Sequence, residues 1–263
     1  MDLIISSEDL YKSIKKPDNT IVIDARSFSE YKNGHIPGAI NIDLFQLHWF
    51  DTTKRGIKDF NRQTRLLLSN IGIRKVSRVI FYDNVSGVNS ARGVWLLLYF
   101  SHNNVCMLDG GFQKWKSENL PVEVKSNQLT TVRFVGKPNS KVIADGDQVK
   151  KSIGNKNVKI VDARSKEEYS GTEVRAARRG HIPSAINIDW TKNIENSVFK
   201  SQKKLSKIYS RIAKDAQIIT YCQGGYRAAN TFLVLKMLGY KNVKMYLGSW
   251  GEWGNKFEFP AER

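Results

Sequence analysis

Short apolar runs recur along the chain, and each stops at a polar residue before a longer stretch with helical spacing. IVID (21–24), VIFY (79–82), KIVD (159–162) and IITY (218–221) are four-residue runs of the kind that form strands buried on both faces. SARGVWLLLYF (90–100) and RAANTFLVLKML (227–238) carry apolar residues with the density of buried helices. Leu3 to Ile5 predicts a further short strand, followed by a helix opened by Ser6 or Ser7, with Glu8 and Asp9 in its first turn. Strands that alternate with helices predict an α/β protein whose sheets are mainly parallel with helices on both faces.

The pattern occurs twice. Residues 21–43 read IVIDARSFSEYKNGHIPGAINID, and residues 159–189 read KIVDARSKEEYSGTEVRAARRGHIPSAINID. The second copy carries an eight-residue insertion between its Tyr and its His. The match continues through VIFYD and IITYC, through Asn104-Val105 and Asn242-Val243 as strand openings, and through the glycine–aromatic segments 109–115 and 247–253. A repeat this long marks a duplicated domain rather than a solenoid unit. The polar stretch 126–140 holds Gly136 and Pro138 and reads as a linker. It separates domains at 1–125 and 141–263, with a new helix expected near Asp145.

Composition narrows the function classes. Apolar residues make up 41% of the chain, enough for two cores, yet no run approaches the roughly 20 residues that span a membrane. The amino-terminal segment lacks the basic start and apolar run of a signal peptide, so a cytoplasmic monomer without membrane contact is expected. Two cysteines, Cys106 and Cys222, are too few for a disulfide framework. With four histidines and no C-x-x-C or H-x-x-x-H spacing, no metal is expected. The net charge of +17 is spread over the whole chain, which argues for attraction of small anions rather than for nucleic-acid binding.

The chemistry concentrates where the second copy departs from the first. Cys222 ends an apolar strand, and Gln223, Gly224, Gly225, Tyr226 and Arg227 lead into a helix expected to begin near Arg227 or Ala228. Parallel sheets bind ligands beyond the carboxyl ends of their strands. A glycine-rich loop at a helix start turns backbone N–H groups toward one point, which favours a thiolate and makes it nucleophilic with a depressed pKa. Arg227 adds a full positive charge. Asp83 holds the matching position in the first copy, so one thiol serves the whole chain. Cys106, inside the strand-like run NNVCMLD, reads as a space-filling residue.

Over its full length the chain resembles the tandem-domain rhodanese sulfurtransferases. The resemblance rests on the paired D-A-R-S and G-H-I-P-x-A-x-N-I-D segments, the Tyr221-Cys222 loop, and Gly248-Ser249-Trp250 with Trp253. It implies that Cys222 takes a sulfane sulfur from a small anionic donor, becomes a persulfide, and yields that sulfur to cyanide or a thiol acceptor without a cofactor. The loop N–H groups would then cradle the outer sulfur. Family members specific for mercaptopyruvate carry a serine two residues after the cysteine, where this chain has Gly224. Many thiosulfate-specific members place basic side chains directly after it, where this chain has Gln223 and Gly224. Gln223 also occurs in some bacterial thiosulfate-type loops, which points to thiosulfate as the donor, with mercaptopyruvate as the alternative.

Arg164, in the second D-A-R segment, corresponds to a donor-contacting arginine in the family; Arg26 repeats it, and a structural ion pair is the competing reading. The insertion supplies Arg175, Arg178 and Arg179, of which Arg175 and Arg179 are the candidates to clamp an oxyanion in bidentate fashion. A solvated basic loop is the competing reading. Asp24 and Asp162 end equivalent strands and are expected to accept loop N–H groups. His35 and His181 occur in both copies and are expected to fix the His-Ile-Pro turn. Trp250 and Trp253 line up with Phe112 and Trp115, which favours the core over a pocket wall.

Two other functions compete. Phosphatases of the cell-division-cycle type separate cysteine from arginine by five residues; four separate Cys222 from Arg227, a loop short for a phosphoryl group. A persulfide carrier would use the same thiol and pass sulfur to a partner protein for cofactor or tRNA thiolation.

Overall fold

The computed structural model describes residues 2–16 and 19–263. In chain order the first copy forms β1 (Ile4–Ile5), α1 (Ser7–Ile14), β2 (Thr20–Asp24), α2 (Phe28–Lys32), β3 (Ile40–Asn41), α3 (Lys54–Asn70), β4 (Arg78–Tyr82), α4 (Val88–Tyr99), β5 (Val105–Leu108) and α5 (Gly111–Ser117). The second forms β6 (Ile143–Ala144), α6 (Gly146–Ser152), β7 (Val158–Asp162), α7 (Lys166–Ser170) and β8 (Ile186–Asn187). After the hairpin β9 (Ile194–Glu195) and β10 (Val198–Phe199) come α8 (Gln202–Ile208), β11 (Gln217–Tyr221), α9 (Tyr226–Met237), β12 (Val243–Tyr246) and α10 (Ser249–Trp253).

Each copy builds one five-stranded parallel sheet, in the order β1-β5-β4-β2-β3 and β6-β12-β11-β7-β8. The strands alternate with helices, as the apolar pattern predicts. Local chemistry starts the helices where expected: Ser6 caps α1 by accepting from Asp9 N–H, and Asp145 caps α6 by accepting from Gln148 N–H. Ser27 with Glu30, and Ser165 with Glu168, form equivalent capping boxes on α2 and α7.

The chain divides into two compact units that are not contiguous in sequence. The first holds residues up to 47, 60–139 and 194–199; the second holds 48–59, 140–193 and 200–263. Two short segments thereby leave the division read from the linker, and hydrogen bonds give the reason. Thr52 bonds Glu252 through both its backbone N–H (2.9 Å) and its hydroxyl (2.6 Å), which fastens 48–59 into the second unit. In the first unit Ser86 N–H donates to the Ser197 carbonyl at 2.8 Å, and Phe199 N–H to Asp109 at 2.9 Å.

The two cores repeat one another. Tyr82, Phe112 and Trp115 pack in the first, and Tyr221, Trp250 and Trp253 in the second, all buried. The indoles of Trp115 and Trp253 donate to the carbonyls of Pro121 (2.8 Å) and Pro260 (2.6 Å). Both tryptophans are therefore core anchors with their polar edge satisfied. Among the described residues no helix is long and apolar enough to cross a membrane.

Candidate active site

The site is built at the carboxyl end of β11, and its foundation is present in both units. The register sets Asp162 opposite Tyr221, as it sets Asp24 opposite Tyr82. Arg164 makes a bidentate pair with Asp162, Nη2 to Oδ2 at 2.6 Å and Nε to Oδ1 at 3.0 Å, and its Nη2 also donates to the Gly180 carbonyl at 2.8 Å. Arg26 repeats this with Asp24 (2.6 and 2.9 Å) and the Gly34 carbonyl (2.8 Å). Asp162 and Asp24 also accept the backbone N–H of Arg164 (2.9 Å) and Arg26 (3.0 Å), the loop role expected of them.

The tyrosine hydroxyls complete the frame by accepting Ile182 N–H and Ile36 N–H, each at 3.2 Å. Burial, reinforced by the Asp162 charge, pushes the Tyr221 hydroxyl well above its ordinary pKa and keeps it neutral. Arg164 is buried, with its guanidinium over Trp250 at 4.7 Å, as Arg26 lies over Phe112 at 4.0 Å. His35 and His181 stack on Tyr31 and Tyr169, each pair of centroids 3.7 Å apart, with Nδ1 against the Tyr31 (2.9 Å) and Tyr169 (3.0 Å) carbonyls. This fixes the His-Ile-Pro turn.

On that frame Cys222 begins the turn into α9, which starts at Tyr226, one residue earlier than the sequence suggests. Gly225 makes the turn possible: its φ of +88° is left-handed, open to glycine at no steric penalty. The Cys222 thiol is 1% exposed, and its Sγ accepts the Gly225 N–H at 3.1 Å. The first-turn N–H groups of α9 have no carbonyl partners within the helix. They and the helix dipole make the loop a site for negative charge.

A second turn closes on the same atoms. Ser249, with the strained φ of +50°, receives Cys222 N–H on Oγ (3.3 Å) and donates to the Tyr246 carbonyl (2.9 Å). Trp250 N–H and Gly251 N–H donate to the carbonyls of Cys222 and Gln223, both at 2.8 Å. Glu252 anchors this turn from below through the Tyr246 hydroxyl (2.8 Å), Lys256 (2.8 Å) and Thr52.

Of the residues singled out in the sequence, the loop members follow directly on Cys222, and two of the arginines, Arg227 and Arg175, converge on Glu168. Arg227 lies beside Glu168, bonded through Nη1 to Oε2 and through Nη2 to Oε1 at 2.9 Å. Burial alone would lower the Arg227 pKa, but the Glu168 hydrogen bond and the Cys222 and Glu168 charges outweigh it and raise it. Arg175 approaches Glu168 at 3.6 Å, and its carbonyl accepts the Gln223 side-chain amide at 2.9 Å. Arg179 is exposed, and Arg164 is committed to Asp162. Gln223 thus ties the loop to the insertion through its side-chain amide.

Sequence reasoning missed Glu168, His48 and Phe50. Glu168 closes the capping box of α7, and its bond to an arginine 59 positions away has no local signature. His48 lies against Gly224, and Phe50 against Gly251. Nothing local in the sequence announces either contact.

In the first unit Asp83 takes the cysteine's place. Its carboxylate accepts Asn84 N–H (2.8 Å) and Asn89 N–H (3.0 Å), so it spends itself on its own loop. Cys106 sits inside β5, where burial pushes its thiol up to about 11.

A rhodanese-like domain model matches residues 6–118 and 145–256, most of each copy. The chain belongs to the rhodanese family. It is 33% identical to the thiosulfate sulfurtransferase of Azotobacter vinelandii and 31% identical to that of Pseudomonas aeruginosa, over all of this chain and 97% of each relative. Its fold matches SseA of Escherichia coli, a 3-mercaptopyruvate sulfurtransferase, with a TM-score of 0.80 and 27% identity over 95% of this chain and 99% of that one. The chain is a rhodanese-type sulfurtransferase, with two tandem rhodanese domains.

Proposed function

We propose that this sulfurtransferase moves sulfane sulfur from thiosulfate to cyanide or a thiol acceptor through a persulfide on Cys222. The observation that carries the reading is the Cys222 sulfur held at 3.1 Å from the Gly225 N–H at the start of α9. In the first step the thiolate attacks the sulfane sulfur. A Cys–S bond forms, the donor's S–S bond breaks, and sulfite leaves with the electron pair. The outer persulfide sulfur inherits the negative charge, where helix-start N–H groups stabilise it before and after transfer. Cyanide then attacks that sulfur, leaves as thiocyanate, and returns the thiolate.

Thiosulfate is supported by the names of the curated relatives and by the absence of a hydroxyl at Gly224, the position where mercaptopyruvate enzymes carry serine. Mercaptopyruvate is the second reading, favoured by the likeness to SseA. The contacts of Arg164 repeat those of Arg26 in the unit without a thiol, which supports the structural ion pair over a donor-binding role. Steady-state turnover with each donor decides between them, and thiosulfate is expected to give the larger kcat/KM. Cys222→Ser should abolish both activities; thiocyanate formation surviving in that variant overturns the persulfide mechanism.

A further inference from the structure

Thr52 ties the segment before it to the second unit, through Glu252 and through its hydroxyl, which accepts the Gly146 N–H at 2.9 Å. Fixed there, the segment lays two aromatic rings on the two turns that converge on Cys222. His48 rests on Gly224: a Cβ at that position would stand 2.5 Å from His48 Cδ2 and 2.9 Å from Nε2. Phe50 rests on Gly251, where a Cβ would stand 2.2 Å from Phe50 Cε1. The His48 ring is 4.8 Å from that of Tyr226 and 5.7 Å from that of Phe50, centroid to centroid. Phe50 is 43% exposed, although it is among the larger apolar side chains of the unit.

These contacts explain a glycine that backbone conformation does not. Gly225 needs its left-handed φ, whereas the φ of Gly224 is outside that region and does not by itself call for glycine. Glycine at 224 is a demand of space, and His48 makes it. The loop position beside the sulfur and the histidine are therefore one packing unit. Since Cys222 is almost fully covered, a donor reaches it only through surroundings whose width this unit helps to set.

We propose that His48 to Thr52 is a donor-selecting strap: His48, backed by Phe50, narrows the Cys222 loop so that a small inorganic donor fits and a donor with a bulky organic substituent does not. His48 is a positioning residue here, acting through Gly224, and the inference rests on the sulfur-transfer reading above. Its chemical partner is a sulfane sulfur donor of the thiosulfate or thiosulfonate class. Benzenethiosulfonate tests the size limit with the same electron count: the thiolate takes the sulfane sulfur and benzenesulfinate leaves with the electron pair.

The test is a double-mutant cycle of Gly224→Ala and His48→Ala on the full chain, read by unfolding midpoint and by donor kinetics. Gly224→Ala should lower the unfolding midpoint and cut kcat/KM for thiosulfate by about ten-fold or more, because it displaces the loop. Adding His48→Ala should recover most of both. His48→Ala alone should raise the ratio of kcat/KM for benzenethiosulfonate over thiosulfate by about ten-fold, mainly through KM. Effects of the two substitutions that simply add, or a donor ratio unchanged in His48→Ala, overturn the strap. The unfolding cycle stands whichever donor is used, whereas wild-type protein that gains no sulfur on Cys222 by mass overturns the sulfur-transfer reading instead.

Discussion

Glu168 and its copy Glu30 show how one position keeps the same first job in both units and takes a different second partner in each. As the third residue of α7, Glu168 closes a capping box with Ser165, just as Glu30 does with Ser27. Its remaining capacity goes to Arg227, whereas Glu30 accepts from Asn84. Burial would raise the Glu168 pKa, but the hydrogen bond and charge of Arg227 prevail and hold it below its ordinary 4.5. A carboxylate depressed on folding stabilises the native state above its unfolded pKa and loses that contribution as pH falls through the folded value. Glu168→Gln should accordingly destabilise the protein by about 3 kcal/mol at neutral pH, since it leaves a largely buried arginine without its charge partner. The difference from wild type should shrink as pH drops below 4.5, as urea unfolding at a series of pH values would reveal. A difference that stays constant into the acid range would assign the loss to packing instead.

At the scale of elements, the insertion in the second copy works as a fastener. Arg178 donates to the carbonyls of Phe259 (2.5 Å), Lys256 (2.7 Å), Trp253 and Gly254, and its own N–H bonds Gly254 at 3.0 Å. One guanidinium thus satisfies the carbonyls left open after α10. Arg178→Ala should lower stability by about 2 kcal/mol and speed amide exchange in residues 254–262, while leaving exchange in β11 slow. Uniform acceleration throughout the unit would contradict a local fastener.

The elements themselves were readable because their causes are local: apolar runs for the strands, Ser6 and Asp145 for the helix starts. The Cys222 loop was readable because a strand end, two glycines and a helix lie within a few residues. Arg178 was not, since a side chain that caps main-chain carbonyls 75 to 81 residues away leaves no trace in periodicity. His48, Phe50 and the Glu168–Arg227 bond were hidden for the same reason. Arg164 was readable both ways, because the family resemblance pointed to the donor while its repetition as Arg26 pointed to the scaffold that Asp24 and Asp162 share.

Across the whole molecule, the duplication separates what the fold supplies from what the chemistry adds. Both units hold the Asp–Arg–Tyr frame, the stacked histidine and the indole anchored on a proline carbonyl. The loop differs in more than its first residue. In the second unit α9 starts four positions after Cys222, behind a left-handed Gly225 at φ +88°. In the first, α4 starts five positions after Asp83, behind Gly87 at φ −91°, and a Cβ on that glycine would meet the Asp83 carboxylate at 2.5 Å. Asp83 therefore organises its loop by accepting Asn84 and Asn89 N–H groups with a carboxylate, a task a single sulfur cannot repeat. Burial raises the Asp83 pKa, so the pocket also disfavours an anion there. A thiol placed at 83 would lack the left-handed turn that follows Cys222. Asp83→Cys in a Cys222→Ser background should fold with reduced stability and form no thiocyanate from thiosulfate and cyanide above the Cys222→Ser background. Sulfur transfer by that variant would mean that the strand end and helix start alone suffice, and that the left-handed turn at Gly225 is dispensable.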